Sequence, residues 1–224
     1  MQRLSQQDHE LVTAAVSRAE RESDGEIVTI VAGRSDAYHD VALHYAVLAM
    51  LVVPVKIALL PQGWIDRAAG LAFGWNAELS RGALMLVLVI LMVLAFLVVR
   101  LILAWMPLRM ALTPGRTKTR RVHRRAVELF RTGCELKTRG RTGVLLYLSL
   151  LEHRAEIVAD KAIADHVEPE VWGEAMAVLV DAVKAGRPGE GMAAAVEKIG
   201  AVVAPILPKT LEDPNELPDR LVEL

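Results

Sequence analysis

Two strand-like runs in this chain end beside residues that hydrolytic or metal-assisted chemistry uses. Arg34, Ser35 and Asp36 follow Ile27-Val28-Thr29-Ile30-Val31, and Glu152 and His153 follow the apolar run from Val144 to Ser149. Carboxylates supply hard oxygen ligands for a divalent cation, and a neighbouring imidazole can give or take a proton near neutral pH. Asp36, Glu152 and His153 are therefore the candidate catalytic residues, and Asp36 and Glu152 the candidate metal ligands. The competing account is that all three are ordinary polar turn residues. The chain has no glycine-rich phosphate loop, no HExxH, no GxSxG and no clustered His/Cys ligand spacing. The alternating acids Glu20, Glu22, Asp24 and Glu26 lie too close together to suggest a site and read as the solvated end of a helix. Asp160 reads as the cap of the turn after it. Cys134 is the only cysteine, which excludes an intramolecular disulfide or a cysteine-rich metal site; its place on an apolar helix face makes it a core residue.

These residues need elements to hold them. Ser5-Gln6-Gln7-Asp8 has the spacing of a capping box. Leu11, Val12, Ala15, Val16 and Ala19 then make one apolar helix face, with Gly25 as the expected stop. Ile27–Val31 is β-rich and closed by Gly33. Further on, Val122, Ala126, Leu129, Phe130, Gly133 and Cys134 recur at helical spacing, ended by Gly140. Val144–Ser149 is apolar enough for a central strand. Arg154–Ala159 alternates as an edge strand does, which makes a hairpin across Leu150–His153. Two helices follow, from Pro169 to about Lys184 and from Pro188 to about Ala204, each with proline at its first position. Trp172, Met176, Leu179 and Val183 share a face of the first. The acidic, proline-bearing residues 208–224 read as an extended or disordered, flexible tail. A lone strand with one helix has no core, so Ile27–Val31 must pair with Val144–Ser149 in parallel, through a long crossover. Ligands in open α/β sheets sit beyond the carboxyl ends of the strands, which is where Asp36, Glu152 and His153 fall.

That crossover is apolar. Of 224 residues 53% are hydrophobic and 24% charged, with a mean hydropathy of +0.33, and the two classes are segregated into a greasy middle and polar flanks. Gly82–Val99 contains no charge, and the apolar stretch runs on to Met106. About 20 such residues cross a bilayer core. Val41–Leu60 is the other expected span. Its Lys56 can snorkel to the headgroups, and its Pro54 is tolerated near the end of a membrane helix. His39 and His44 read as interfacial polar residues at its entry. Trp64 and Trp105 fit an aromatic belt, and Trp64–Leu79 a short interfacial helix. Residues 41–106 are thus expected to form a transmembrane hairpin inside a domain split into residues 1–36 and 115–207. The opening residues contain no apolar signal-peptide core.

Eleven Lys and Arg residues lie between Pro107 and Arg141, against Arg67 and Arg81 alone in the loop between the spans. The positive-inside rule then puts both ends in the cytoplasm, as expected for a bacterial inner-membrane protein. Arg116, Lys118, Arg120, Arg121, Arg124 and Arg125 lack the interleaved aromatics of a nucleic-acid surface. Beside a membrane helix they are better read as contacts to anionic lipid, gaining on the order of 1 kcal/mol each. The net charge of −1 by itself argues neither for nor against nucleic acid; the missing aromatics and the membrane helix nearby are what leave no nucleic-acid partner expected.

The run Gly143-Val144-Leu145-Leu146-Tyr147-Leu148-Ser149-Leu150-Leu151-Glu152-His153-Arg154-Ala155-Glu156-Ile157-Val158-Ala159-Asp160-Lys161 resembles the hairpin signature of the TPM domain family. Asp24-Gly25-Glu26-Ile27-Val28 resembles that family's first strand entry, and Val171-Trp172 and Gly191–Val196 fit downstream. The resemblance covers roughly residues 1–35 and 115–207 and omits the apolar insert. It departs at Ala162, where a glycine is usual. It implies an α/β fold, a small mixed sheet flanked by helices, often attached to membranes. Relatives include acid phosphatases, calcium binders and proteins that assist membrane-complex repair, so calcium or magnesium are the cofactors it implies. Two functions compete. One is a membrane-tethered interaction or scaffold module, in contact with lipids and membrane proteins, open to homo-oligomerisation and serving membrane-protein maintenance. The other is a metal-dependent acid phosphatase-like hydrolase.

Overall fold

The computed structural model describes residues 4–74, 80–135, 142–210 and 219–224. The chain forms two compact units, one from residues 1–36 and 115–224, the other from residues 37–114.

The first unit is a mixed α/β domain. Helix α1 (Gln6–Ala19) opens with the expected capping box: Asp8 N–H donates to Ser5 Oγ, and Ser5 N–H to the Asp8 carboxylate. It buries Val12, Ala15, Val16 and Ala19, whereas Leu11 is exposed and leaves that face. Gly25 is not its stop, because the helix ends at Ala19 on Glu20. Its use is space: a Cβ at Gly25 would lie 2.5 Å from Val203 Cγ1.

Strand β1 (Glu26–Ala32) is buried throughout. It pairs in parallel with β2 (Gly143–Ser149), Ile27 against Val144 and Ile30 against Tyr147. β2 turns through residues 150–153 into antiparallel β3 (Arg154–Ala159), and the sheet is completed by β4 (Val222–Glu223), giving the order β3-β2-β1-β4. Burial on both faces explains why β2 reads as a continuous apolar run. On one face lie α1, α8 (Pro169–Lys184) and α9 (Pro188–Val203), packed through Leu179, Met192, Val196 and Ile199. On the other lies α6 (Gly115–Phe130), through Val122, Ala126 and Phe130. α6 runs into a π-helical turn, Arg131–Glu135, where an unbroken helix was expected. Gly140 and the Cys134 side chain lie outside the described residues. A short helix, α7 (Lys161–Ala164), links the hairpin to α8.

Residues 208–224 are not a flexible tail over their described part. Residues 208–210 are tied to Asp24, whose carboxylate accepts from Thr210 N–H (2.8 Å) and Oγ1–H (2.6 Å). β4 closes the outer edge of β1 in parallel, Ile30 against Val222. Leu221 is buried in the core, the apolar anchor that a disordered tail would lack.

The second unit contains α2 (His39–Leu59), α3 (Gln62–Phe73), α4 (Arg81–Ile102) and α5 (Met106–Leu112). α2 packs against α4, and both are long and apolar enough to cross a membrane by length and composition. Most of their large apolar side chains are exposed, Leu48, Leu51, Leu86, Val89 and Leu97 among them, which fits lipid rather than water as their solvent. α4 stops at Ile102, short of the expected Met106. Arg109 is buried there: its guanidinium donates to the Leu103, Ala104 and Ala37 carbonyls at 2.8, 3.3 and 2.7 Å and meets His39 Nδ1 at 3.4 Å. A cation on the last carbonyls of a helix satisfies groups that have no partner inside it. Trp64 and Trp105 are exposed; residues 75–79 of the expected interfacial helix lie outside the described residues.

Candidate functional site

The parallel pair β1 and β2 delivers two polar loops to one end of the sheet, residues 33–36 and 149–153. Glu152 is buried there and is consumed by the loops themselves. One of its carboxylate oxygens accepts from Ser35 N–H (3.0 Å), the other from the Ser149 hydroxyl. Ser35 Oγ in turn meets the Tyr147 hydroxyl at 2.9 Å. A carboxylate that accepts a backbone N–H and a hydroxyl from different loops joins them. Burial pushes the Tyr147 phenol above its ordinary value, opposed by the Ser35 hydrogen bond and reinforced by the Glu152 charge.

Asp36 takes a different partner. Its Oδ2 lies 2.7 Å from Arg121 Nη1 and 3.9 Å from Arg124 Nη2, across to α6. His153 is exposed and occupies the left-handed region (φ 50°) in the hairpin turn, a conformation in which histidine is enriched. The three candidates thus share one end of the domain but serve three tasks: an ion pair, a loop staple and a turn. Among the described residues no three His, Cys, Asp or Glu side chains group to hold a metal ion.

The cations of α6 divide likewise. Val122, Ala126 and Phe130 face the sheet, which leaves Arg116, Arg120, Arg124 and Arg125 exposed and Lys118 half-buried. Arg121 departs from the expectation of an outward-facing cation, because its side chain is 13% exposed and bound to Asp36. Arg125 pairs along the helix with Glu128 at 3.6 Å, and His123 reaches Glu156 at 3.4 Å.

The opposite end of the sheet holds a cluster that sequence reasoning missed. Glu20 and Glu26 are not solvated: Glu26 is buried and Glu20 half-buried. With Ser17, Arg21, Ser23, Gly25, Lys209 and Asp219 they line a cavity of about 360 Å³. Glu20 Oε accepts from Ile27 N–H (2.9 Å), and Asp219 Oδ2 from the Ser17 hydroxyl (2.6 Å). Burial raises the Glu20 carboxyl to about 8, with the charges of Asp219 and Glu26 adding to it against the Ile27 hydrogen bond. The available signal was the period of the acids, since Glu20 continues the buried face Val12, Val16, Ala19. Asp160 is at this end too. It stands at the N-cap position of α7, but its carboxylate accepts from Gly143 N–H (3.0 Å), tying β3 to β2 instead of capping the turn.

No family model and no curated protein match the chain. Among solved structures, the NMR structure of BA42 from the psychrophilic bacterium Bizionia argentinensis is similar, with a TM-score of 0.56 at 16% identity. The match covers 100% of this chain and 97% of that one. At this identity the likeness is one of fold.

Proposed function

We propose that the chain is a membrane-anchored interaction module. In this reading α2 and α4 cross a bacterial inner membrane, and the TPM-like α/β domain sits on the cytoplasmic side with both flanks of the hairpin. α6 contacts anionic headgroups there, and the domain serves membrane proteins in maintenance or scaffolding. The observation that carries this reading is the division of α6. Its apolar face is spent on the sheet, and Arg116, Lys118, Arg120, Arg124 and Arg125 stay on the other side of a helix that begins one residue after Pro114. Surface cations so close in sequence to a membrane helix gain on the order of 1 kcal/mol each from an anionic leaflet. Asp36 removes Arg121 from that set.

The test is photocrosslinking of the full chain, reconstituted in nanodiscs, to a photoreactive anionic lipid. Replacing Arg116, Arg120, Arg124 and Arg125 together by Gln should lower crosslinking to α6 by at least about tenfold, and salt should lower it in the parent chain. Equal crosslinking in both proteins would leave these residues as a solvated helix face and remove the support for the reading.

A further inference from the structure

The outer edge of β1 is occupied by two elements of this same chain. Glu26 N–H points to the β2 side, toward Thr142 O (3.1 Å). By strand alternation the amides of Ile27, Thr29, Val31 and Gly33 point the other way. At one end of that edge Ile27 N–H is taken by the Glu20 carboxyl (2.9 Å). At the other, Gly33 N–H donates to Leu224 O (3.0 Å) and Leu224 N–H to Val31 O (2.9 Å). The strand that does this is two residues long. It is seated by alternate side chains: Leu221 enters the core on the α1 side, and Val222 packs on the α6 side. Glu223 Oε1 accepts from Leu4 N–H (3.2 Å) and meets His9 Nε2 at 3.0 Å.

At its start this segment brings a second acid to Glu20: Asp219 accepts from the Ser17 hydroxyl (2.6 Å), one turn before Glu20, and both carboxyls line the same cavity. Two carboxyls can bond to one another only while one keeps its proton; with both ionised there is no donor and the charges repel. The groups facing the pair are Ser17 from α1, Arg21 from the turn after it, Ser23 and Glu26 from the approach to and start of β1, and Lys209 from the segment after α9. Lys209 is already 3.8 Å from Asp24. Glu26, in the same lining, adds a third acid.

We propose that the outer edge of β1 is a docking surface for an extended peptide segment, which residues 219–224 cover in cis and which ionisation of the Glu20–Asp219 pair opens. The chemistry of the partner is that of the present occupant: a strand running parallel to β1, with apolar residues at two successive positions and a carboxylate at the next. Addition of such a strand to a sheet edge gains main-chain hydrogen bonds for affinity and side-chain pockets for selectivity. A short cis strand is a means of protecting an edge that must also be reachable. This goes beyond the headgroup reading and does not depend on it.

The test uses the full chain in neutral detergent micelles without anionic lipid, so its failure and that of the headgroup reading are distinguishable. The probe is the peptide Arg-Leu-Val-Glu-Leu, which repeats residues 220–224 and omits the acid that would meet Glu20. Binding is followed by NMR at the amides of Val31 and Gly33. Half-saturation should need at least about tenfold less peptide at pH 9 than at pH 6, a difference of about 1.4 kcal/mol. Glu20→Gln donates an amide N–H to Asp219 at any pH and should abolish that gain. Equal affinity at the two pH values, absence of binding at both, or a gain that survives in Glu20→Gln would overturn the proposal. The comparison of the parent chain at two pH values decides it even where the variant folds poorly.

Discussion

At the carboxyl ends of β1 and β2 the acids meet donors: Glu152 has Ser35 N–H and the Ser149 hydroxyl, and Asp36 has Arg121. At the amino ends of the same strands acids meet acids, with Glu20 against Asp219 and Glu26 close by. Both ends bury carboxyl groups. At the first, charge is compensated locally by donors on the neighbouring loops and on α6. At the second, compensation depends on a proton that solvent can remove. Position in the fold does not by itself say where unusual chemistry lies. The rule that ligands sit beyond the carboxyl ends of parallel strands points to the compensated end, whereas the strained electrostatics are at the other.

The sharpest way to break this contrast is Glu152→Ala. It leaves the buried Ser149 hydroxyl and the Ser35 N–H without their acceptor, and stability should fall by about 2–4 kcal/mol, read as the urea midpoint of the domain. A change below about 0.5 kcal/mol would mean that water replaces the carboxylate, and that the end is not built around it.

Much of this architecture is legible as pattern. The capping box at Ser5, the parallel partner for Ile27–Val31, the hairpin at 150–153, the edge position of Arg154–Ala159 and the starts of α8 and α9 at Pro169 and Pro188 all follow from local signals. So does the presence of two helices long and apolar enough to cross a membrane. The features that escaped share a cause, which is distance along the chain. Val222–Glu223 is too short to show a period, and it becomes a strand because β1 offers an edge. The Ser17–Asp219 hydrogen bond joins residues 202 positions apart, and Ser35–Tyr147 joins residues 112 apart. Tyr147, the one aromatic residue in a strand of aliphatic residues that ends on Ser149, was the visible trace of the second. Arg109 and Arg121 look like their basic neighbours in sequence. What sets them apart lies elsewhere in the chain: the carbonyls of 37, 103 and 104 for the first, and the carboxylate of Asp36 for the second.

At the amino end a pH titration sharpens the contrast. The Glu20 carboxyl is raised from 4.5 to about 8 in the folded chain, so its contribution is fully present below about 4.5 and is lost as pH rises through about 8. The loss between pH 5 and pH 9 should be on the order of 2 kcal/mol, less than the full shift implies because the cavity is open to water. Chemical denaturation at the two pH values measures it. Glu20→Gln should flatten the curve, and a parent curve already flat would show that the acids find compensation the contrast denies them.

The smallest effect is expected at Asp36, and it separates pairing from metal binding. The Asp36 and Arg121 side chains are 25% and 13% exposed, between the surface pairs worth little and the buried pairs that are costly to break. Asp36→Asn and Arg121→Gln should therefore each cost about 1 kcal/mol, and the double variant little more than either, because both remove the same contact. If Asp36 instead holds a divalent cation, the outcome differs in kind. Millimolar calcium or magnesium should then raise the melting temperature of the parent chain, since a ligand of the folded state stabilises it by mass action. Asp36→Asn should abolish that rise while Arg121→Gln, with one cation fewer beside the site, should preserve or enlarge it. Additive costs together with a metal-dependent rise would replace the ion pair by a metal site at this end of the sheet.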